Sequence, residues 1–293
     1  MQNGRYYLGR VIKSGILDTD KLIDAIVKSK ALTIRKFTWI FTDVVDGRTN
    51  TLPFVYAKLS KYSREGQVTI VDPDAKSQID ALAQNLLVAS SPFVYLPSYS
   101  GIAYLHIWNE IQEDVFERRF KTLVESVYEN FFVDCQIEPV SDYREFTTKV
   151  RELERITEIA AKVHPPNPLF GRLWGSLNNY IKRRNVSEAT FKEHQEGGNG
   201  LITNIVQLME GILENPQFEP QGEVDITDAA LLMAADGYGL GKVSGDKDGD
   251  EVIIRTSDTQ KSFLFDKEPT PDDLALEAAS HFKQTSIERD MKH

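Results

Sequence analysis

Apolar and polar positions alternate with period two through much of the first hundred residues. "FTWIFTDVV" (37–45) and "TLPFVYAKL" (51–59) are rich in aromatic and β-branched residues, and the Asp46-Gly47 pair of the intervening "DGRTN" suits a hairpin turn. Separate short strands are predicted at "QVTIVD", "NLLVAS", "PFVYLP" and "IAYLHIW". One amphipathic helix interrupts them, from Thr19 to about Ala31: Asp18, Thr19 and Asp20 offer capping oxygens, and Leu22, Ile23, Ile26 and Val27 form one apolar stripe. The period then lengthens. "EDVFERRFKTLVESVYENFF" and "SDYREFTTKVRELERITEIAAKV" both carry helical spacing, the second with Ser141 as N-cap, and "VDCQIEPV" between them reads as a strand. A helix–strand–helix run after a sheet predicts both helices on one sheet face.

At "HPPNP" (164–168) the prolines lack the N–H groups a helix needs, so the main boundary is expected there. Beyond it, helices are predicted in "LFGRLWGSLNNYIKRRN", "LITNIVQLMEGILEN" and "DITDAALLMAADG". The expected fold class is α+β: a mixed, mainly antiparallel sheet with covering helices, followed by a helical C-terminal domain that ends in a β-hairpin. The expected domains are 1–163 (α+β), 169–266 (helical with the hairpin) and 267–293, a polar and partly disordered tail with at most one short helix near Leu274 to Phe282.

Composition narrows the function classes. The 293 residues can bury a substantial core, and 41% hydrophobic with 27% charged residues is ordinary for a globular protein. A formal net charge of −10 works against coating of nucleic acid or an acidic membrane by the surface as a whole. Cys135 is the only cysteine, which excludes an intrachain disulfide and fits a reducing compartment. The first residues lack the apolar core of a signal peptide, and no window approaches the ~18 apolar residues of a membrane span. A cytoplasmic protein without membrane contact is expected.

The stretch "DGYGLGKVSGDKDGDEV" (236–252) invites three chemical readings. A dinucleotide fingerprint needs its glycines between a strand and a helix start; here a helix runs into them and a strand follows. A Walker loop fails at Asp236 and Val243, where a glycine and a Ser or Thr belong. As a calcium loop, Asp246, Asp248 and Asp250 are spaced correctly, but Glu251 and Ser257 occupy the glycine and bidentate glutamate positions. A hairpin pairing 239–243 with 252–256, with "SFLFD" as a third strand, explains more. Three helices followed by a hairpin also match a winged helix, yet "TDAALLMAAD" carries no side chain that could read a base edge.

Two further constellations could carry function. Arg172, Lys182, Arg183 and Arg184 lie near Trp174 and Tyr180 with Asn178 and Asn179 between, a mixture suited to phosphate contact and base stacking. The plain reading competes: three cations in a last turn compensate the helix dipole, and Leu173, Leu177 and Ile181 make a buried stripe. In "VDPDAK", Asp72, Asp74 and Lys76 resemble the carboxylate-x-Lys element of metal-dependent nucleases, with Asp43 or Asp46 as an upstream ligand for Mg²⁺; its position after a strand, with a proline, is also the context of a turn. The five histidines form no paired motif, and Cys135 in an apolar strand reads as packing.

"VHPPNPLFGRLWGSLNNYIKRRN" and "AADGYGLGKVSGDKDGDEVIIRTSD" resemble blocks of an uncharacterised family of bacterial and prophage proteins, some encoded in anti-phage defence loci. The resemblance implies a prokaryotic origin and a role in antiviral defence, and it supplies no active-site residue. The expected function is a binding component of a bacterial defence or phage-related assembly. It would engage a partner protein, and nucleic acid as a second ligand class, through Arg172, Trp174, Lys182, Arg183 and Arg184, without a cofactor. A Mg²⁺-dependent nuclease using Asp72, Asp74 and Lys76 is the alternative, and a structural subunit without ligand the third reading.

Overall fold

The computed structural model describes residues 3–292, with the side chains of residues 70 and 72 outside the described set. In chain order its elements are β1 (Asn3–Gly15), α1 (Thr19–Val27), β2 (Leu32–Ile34), β3 (Phe37–Gly47), β4 (Phe54–Asp72), β5 (Ser77–Leu96), β6 (Gly101–Leu105), α2 (Glu113–Val127), β7 (Val133–Pro139), α3 (Tyr143–Arg151) and β8 (Arg155–Val163). Then come β9 (Phe170–Gly171), α4 (Gly175–Arg184), β10 (Ala189–His194), α5 (Ile205–Glu214), α6 (Ile226–Met233), β11 (Gly239–Lys247), β12 (Asp250–Arg255), β13 (Ser262–Asp266), α7 (Pro271–Glu288) and β14 (Met291–Lys292). The α+β class expected from the pattern is the class observed, with antiparallel pairing throughout.

An eight-stranded sheet runs β13-β1-β6-β5-β4-β3-β2, with β7 also on β1. β6 overlaps both β13 and β7 along β1, so the latter two lie end to end on its other edge. One face packs under α1 and α2 through Leu22, Ile23, Ile26, Phe116, Phe120 and Leu123. The other is covered by α7 through Leu274, Ala275, Ala278 and Phe282. A second sheet, β10-β8-β11-β12, packs with α3 to α6 around Phe146, Trp174, Met209 and Leu231. It draws β8 from before the proline-rich segment, while β13 from after that segment joins the first sheet.

Several expectations are corrected. The second half of "SDYREFTTKVRELERITEIAAKV" is β8, because Ile159, Ala161 and Val163 alternate into the core while β10 and β11 take the backbone hydrogen bonds; the apolar spacing fits either period. α3 is capped by Asp142, whose side chain accepts from the Arg144 and Glu145 amides. It packs in the second core, so the two helices do not share one sheet face. β13 is "SFLFD", but it pairs with β1 and not with the hairpin. The hairpin itself is present as β11 and β12, reversing at Asp248 and Gly249 with φ of 53° and 87°, the left-handed geometry such a turn demands. The 267–293 segment contains an 18-residue helix, longer than the one expected.

The four short strands predicted between 67 and 108 resolve into the end of β4, one continuous β5 that holds both "NLLVAS" and most of "PFVYLP", and β6. Past Tyr62 and Leu87, β4 and β5 have lost β3 and β6 and continue as a two-stranded ribbon, ten residues a side from Ser63↔Leu86 to Asp72↔Ser77, about 33 Å long.

Where the two sheets meet, Asp236 is buried and fully paired. Its carboxylate accepts from Tyr143 Oη (2.6 Å), Arg289 Nη1 (2.8 Å) and Trp174 Nε1 (2.8 Å), and its carbonyl from Arg10 Nε (2.7 Å). Arg10 also donates to the Tyr99 carbonyl and stacks 4.9 Å from the Tyr238 ring; Arg289 lies 3.9 Å over Tyr143. Gly237 leaves the α6 axis at φ 88°, the helix-ending role expected of it.

Asp236→Asn keeps the shape and removes the charge facing Arg289, so urea denaturation followed by tryptophan fluorescence is expected to show a loss of about 3–5 kcal/mol. Replacing 64–85 with an Asn-Gly turn should shift the midpoint by no more than about 1 kcal/mol, since an isolated two-stranded ribbon adds little stability.

Candidate functional site

A cleft of about 710 Å³ opens where β7, the edge of the large sheet, meets α2 and the turn 257–260 that follows β12. α2 builds one wall because its two faces differ. Phe116, Phe120, Leu123 and Val124 point into the core, and Glu113, Glu117 and Lys121, spaced four residues apart, form a row along the flank of that apolar stripe. β7 contributes Gln136 and Glu138, and the third wall is Ser257 to Gln260. This turn is stitched to the chain after β7: the Asp142 amide donates to the Thr259 carbonyl (2.6 Å) and the Lys261 amide to the Val140 carbonyl (2.7 Å).

Charge in the cleft is lopsided. The lining holds six carboxylates (Glu113, Asp114, Glu117, Glu138, Glu145, Asp258) and three cations (Arg5, Arg118, Lys121). Two of those cations are already paired, Lys121 with Glu125 and Asp134, and Arg118 with Asp114. Of the acids, Glu145 is paired with Lys149, Asp258 accepts from the Arg255 amide, and Glu113 lies 3.1 Å from His106 Nδ1. Among the described residues Glu117 has no Lys, Arg or His within ion-pair distance, and Glu138 has only the His164 ring.

Glu117 accepts a hydrogen bond from Tyr104 Oη (3.1 Å), which in turn accepts from Gln260 Nε2 (3.2 Å). Burial, reinforced by Glu113 and Asp114, pushes its carboxyl up to about 7 against the counteracting Tyr104 bond. Glu138 is 5% exposed and its carboxyl makes no hydrogen bond among the described residues. Burial first, then the charge of Glu117, pushes it up to about 8. Its nearest ring nitrogen, His164 Nε2, is 3.7 Å away, too far for a hydrogen bond, and has no partner of its own. Burial lowers the His164 pKa, and Nδ1 faces the Ser187 carbonyl at 3.3 Å, so the neutral ring presents an acceptor to Glu138.

The residues singled out in the sequence lie elsewhere. Trp174 is buried with its indole on Asp236, which withdraws it from the basic patch. Arg172 donates to the Phe218 carbonyl and pairs with Asp290. Lys182, Arg183 and Arg184 are exposed at the end of α4, with Lys182 4.1 Å from the Phe170 ring. Asp74 and Lys76 are at the ribbon tip, and the Asp72 side chain lies outside the described residues. Asp43 pairs with Lys58 and Asp46 with Arg48 in the body of the large sheet, roughly 45–55 Å along β4 from that tip, so the fold does not gather the proposed Mg²⁺ ligands. Cys135 is buried, its thiol pushed up to about 12. Glu117 and Glu138 were not singled out by the sequence; the acid–acid–lysine ladder on α2 and an acid inside an apolar strand were the available signals.

No protein-family model matches the chain, and no curated protein sequence does.

A carboxyl whose folded pKa lies above its unfolded value favours folding when protonated, so that stability is complete below the ordinary glutamate value and lost as pH rises through about 7 and 8. Thermal melts should therefore show stability falling from about pH 4.5 to about pH 8 and levelling off above it. Glu138→Gln, which cannot ionise, should flatten this fall by on the order of 2–3 kcal/mol.

Proposed function

We propose that the protein is a binding component that holds a partner protein through the cleft between α2, β7 and the 257–260 turn. The observation that supports this reading most is Glu138, a carboxyl kept nearly out of solvent, without a hydrogen bond, at the lining of a cleft large enough for a peptide segment. Sealing such a group costs stability, and a perturbed acid beside a cleft marks a place where the missing partner arrives from outside. A bacterial antiviral-defence or phage-related assembly as the setting rests on the resemblance of the two sequence blocks. Nucleic acid as a second ligand class rests on Lys182, Arg183 and Arg184, now without Trp174 as a stacking platform.

Glu117 favours a second reading. A carboxyl pushed up to about 7 and bonded to a tyrosine hydroxyl is suited to general acid–base work, in which case the cleft would convert its ligand.

A photo-crosslinking amino acid in place of Arg118, at the cleft rim, should capture one defined protein in the cells that make this chain. The same group in place of Leu276, exposed on α7, should not. Adducts at Leu276 alone, or no protein adduct at Arg118, would overturn the reading. A small molecule recovered chemically altered from the purified protein would favour the acid–base alternative.

A further inference from the structure

We infer that the cleft takes its partner as an extended peptide segment, basic rather than acidic, whose backbone adds a strand to the outer edge of β7 at Ile137. The inference rests on the cleft being the partner-binding site and names what enters it: a length of backbone read by hydrogen bonds, in place of a folded surface.

The pairing of β7 with β1 decides which backbone groups face the cleft. The Val140 amide donates inward to the Leu8 carbonyl at 3.1 Å. Val11, opposite Ile137, sends its own amide the other way, to the Ser100 carbonyl at 2.7 Å, and its carbonyl accepts from Ser100 Oγ at 2.9 Å. Successive residues of an antiparallel pair alternate between bonding across and pointing away, so Cys135, Ile137 and Pro139 turn their backbone groups outward. The Cys135 amide follows this phase: it leaves the sheet to meet Glu125 Oε1 at 3.0 Å.

Two of the three outward positions therefore offer no free amide, one because Glu125 takes it and the other because proline has none. Ile137 keeps its N–H and C=O, and neither makes a hydrogen bond among the described residues. All three residues line the cleft, so the edge stands open to it over roughly 13 Å, beside α2 and the 257–260 turn. A free sheet edge accepts another strand readily, and proteins ordinarily block it. Here it is blocked on either side of a single donor that lies in a cavity. An incoming segment would accept from the Ile137 N–H and donate to the Ile137 carbonyl, with the Cys135 and Pro139 carbonyls as further acceptors.

Charge selects among possible segments. The lining holds six carboxylates against three cations. A second copy of this chain joined through the same edge would set that acidic lining against itself, and an acidic segment would meet the same repulsion. A foreign segment carrying lysine or arginine complements the field.

The test uses the whole chain, isotope-labelled, and defined peptides. A nine-residue peptide alternating valine and threonine, with a lysine at each end, is titrated beside its counterpart ending in glutamates. Two further versions of the lysine peptide are N-methylated, one at every valine and the other at every threonine. Because the N–H groups of a strand point alternately to its two sides, methylation of one set should weaken binding by tenfold or more, and methylation of the other by less than threefold. The glutamate peptide should bind at least tenfold more weakly, and saturation with the lysine peptide should slow hydrogen exchange of the Ile137 amide at least tenfold. Ile137→Pro removes the outward N–H and leaves the ladder with β1 in place; it should weaken the lysine peptide at least tenfold more than Ile137→Ala does. If Ile137→Pro does not fold, the two methylated peptides decide.

Equal loss from both methylated sets or from neither, an unprotected Ile137 amide, or equal binding of the glutamate peptide would each overturn the inference. With crosslinking at Arg118 still yielding its protein, the cleft would then stand as a site for a folded surface. Doubling of the chain's mass with the Ile137 amide protected before any peptide is added would assign the edge to a second copy and overturn it also. No binding of any peptide overturns it, and the cleft itself falls only if crosslinking at Arg118 fails as well.

Discussion

Three donors from separate parts of the chain converge on the carboxylate of Asp236, and the rest of the fold is arranged around satisfying it. Tyr143 comes from the start of α3, Trp174 from the turn before α4, and Arg289 from the end of α7. Arg10, from the middle of β1, holds the same residue through its carbonyl. The charge therefore ties the first strand to the last helix across nearly the whole sequence. Removing any one donor leaves an acceptor stranded in a region where neither Asp236, Arg10 nor Arg289 is exposed by more than a few per cent. Hydrophobic burial supplies the bulk of the stability. The Asp236 network fixes how the two sheets meet.

That junction positions the cleft. Arg289 donates from its other Nη to the Ser141 carbonyl, the Ser141 amide donates to the Ala235 carbonyl at 2.9 Å, and its hydroxyl meets Thr259 Oγ1 at 2.6 Å. The 257–260 turn is thus anchored, within one or two residues, to the same buried cluster that secures Asp236. β7 is held by β1 over seven residue pairs, and α2 is locked to the sheet by the stack of Phe116 on Tyr104, 4.2 Å between ring centroids. All three walls of the cleft are rigid elements whose placement is settled before a ligand arrives.

Local pattern disclosed much of this fold and little of its site. The hairpin of β3 and β4, the α1 stripe, β7 and the β11–β12 hairpin were legible because one periodicity and one turn signal agreed at each. β8 was not, since Leu153, Ile156 and Ala160 fit a helix as well as a strand and only pairing with β10 and β11 decides between them. The ribbon was read as separate strands because no local signal says how far a pair continues once its neighbours stop. The acidic cleft was the least visible. Glu117 and Glu138 are 21 positions apart on different elements, and their elevated pKa values arise from burial that only the assembled sheet and helix create. Trp174 shows the opposite error: an aromatic beside basic residues suggested a stacking surface, and its indole turned out to be spent on the Asp236 network.

Asp236 and Glu138 are both buried acids, and their difference carries the functional argument. Asp236 is surrounded by donors that stabilise its charge, so it has nothing left to offer and no route to solvent; its role ends with the architecture. Glu138 is comparably buried, yet its closest ring nitrogen presents a lone pair, and the charges that reach it are mostly of its own sign. A fold optimised for stability alone would place a glutamine or an apolar residue at that point of β7, where the backbone pairing with Arg10 would persist unchanged. Retaining an acid there makes sense when a donor is delivered from outside.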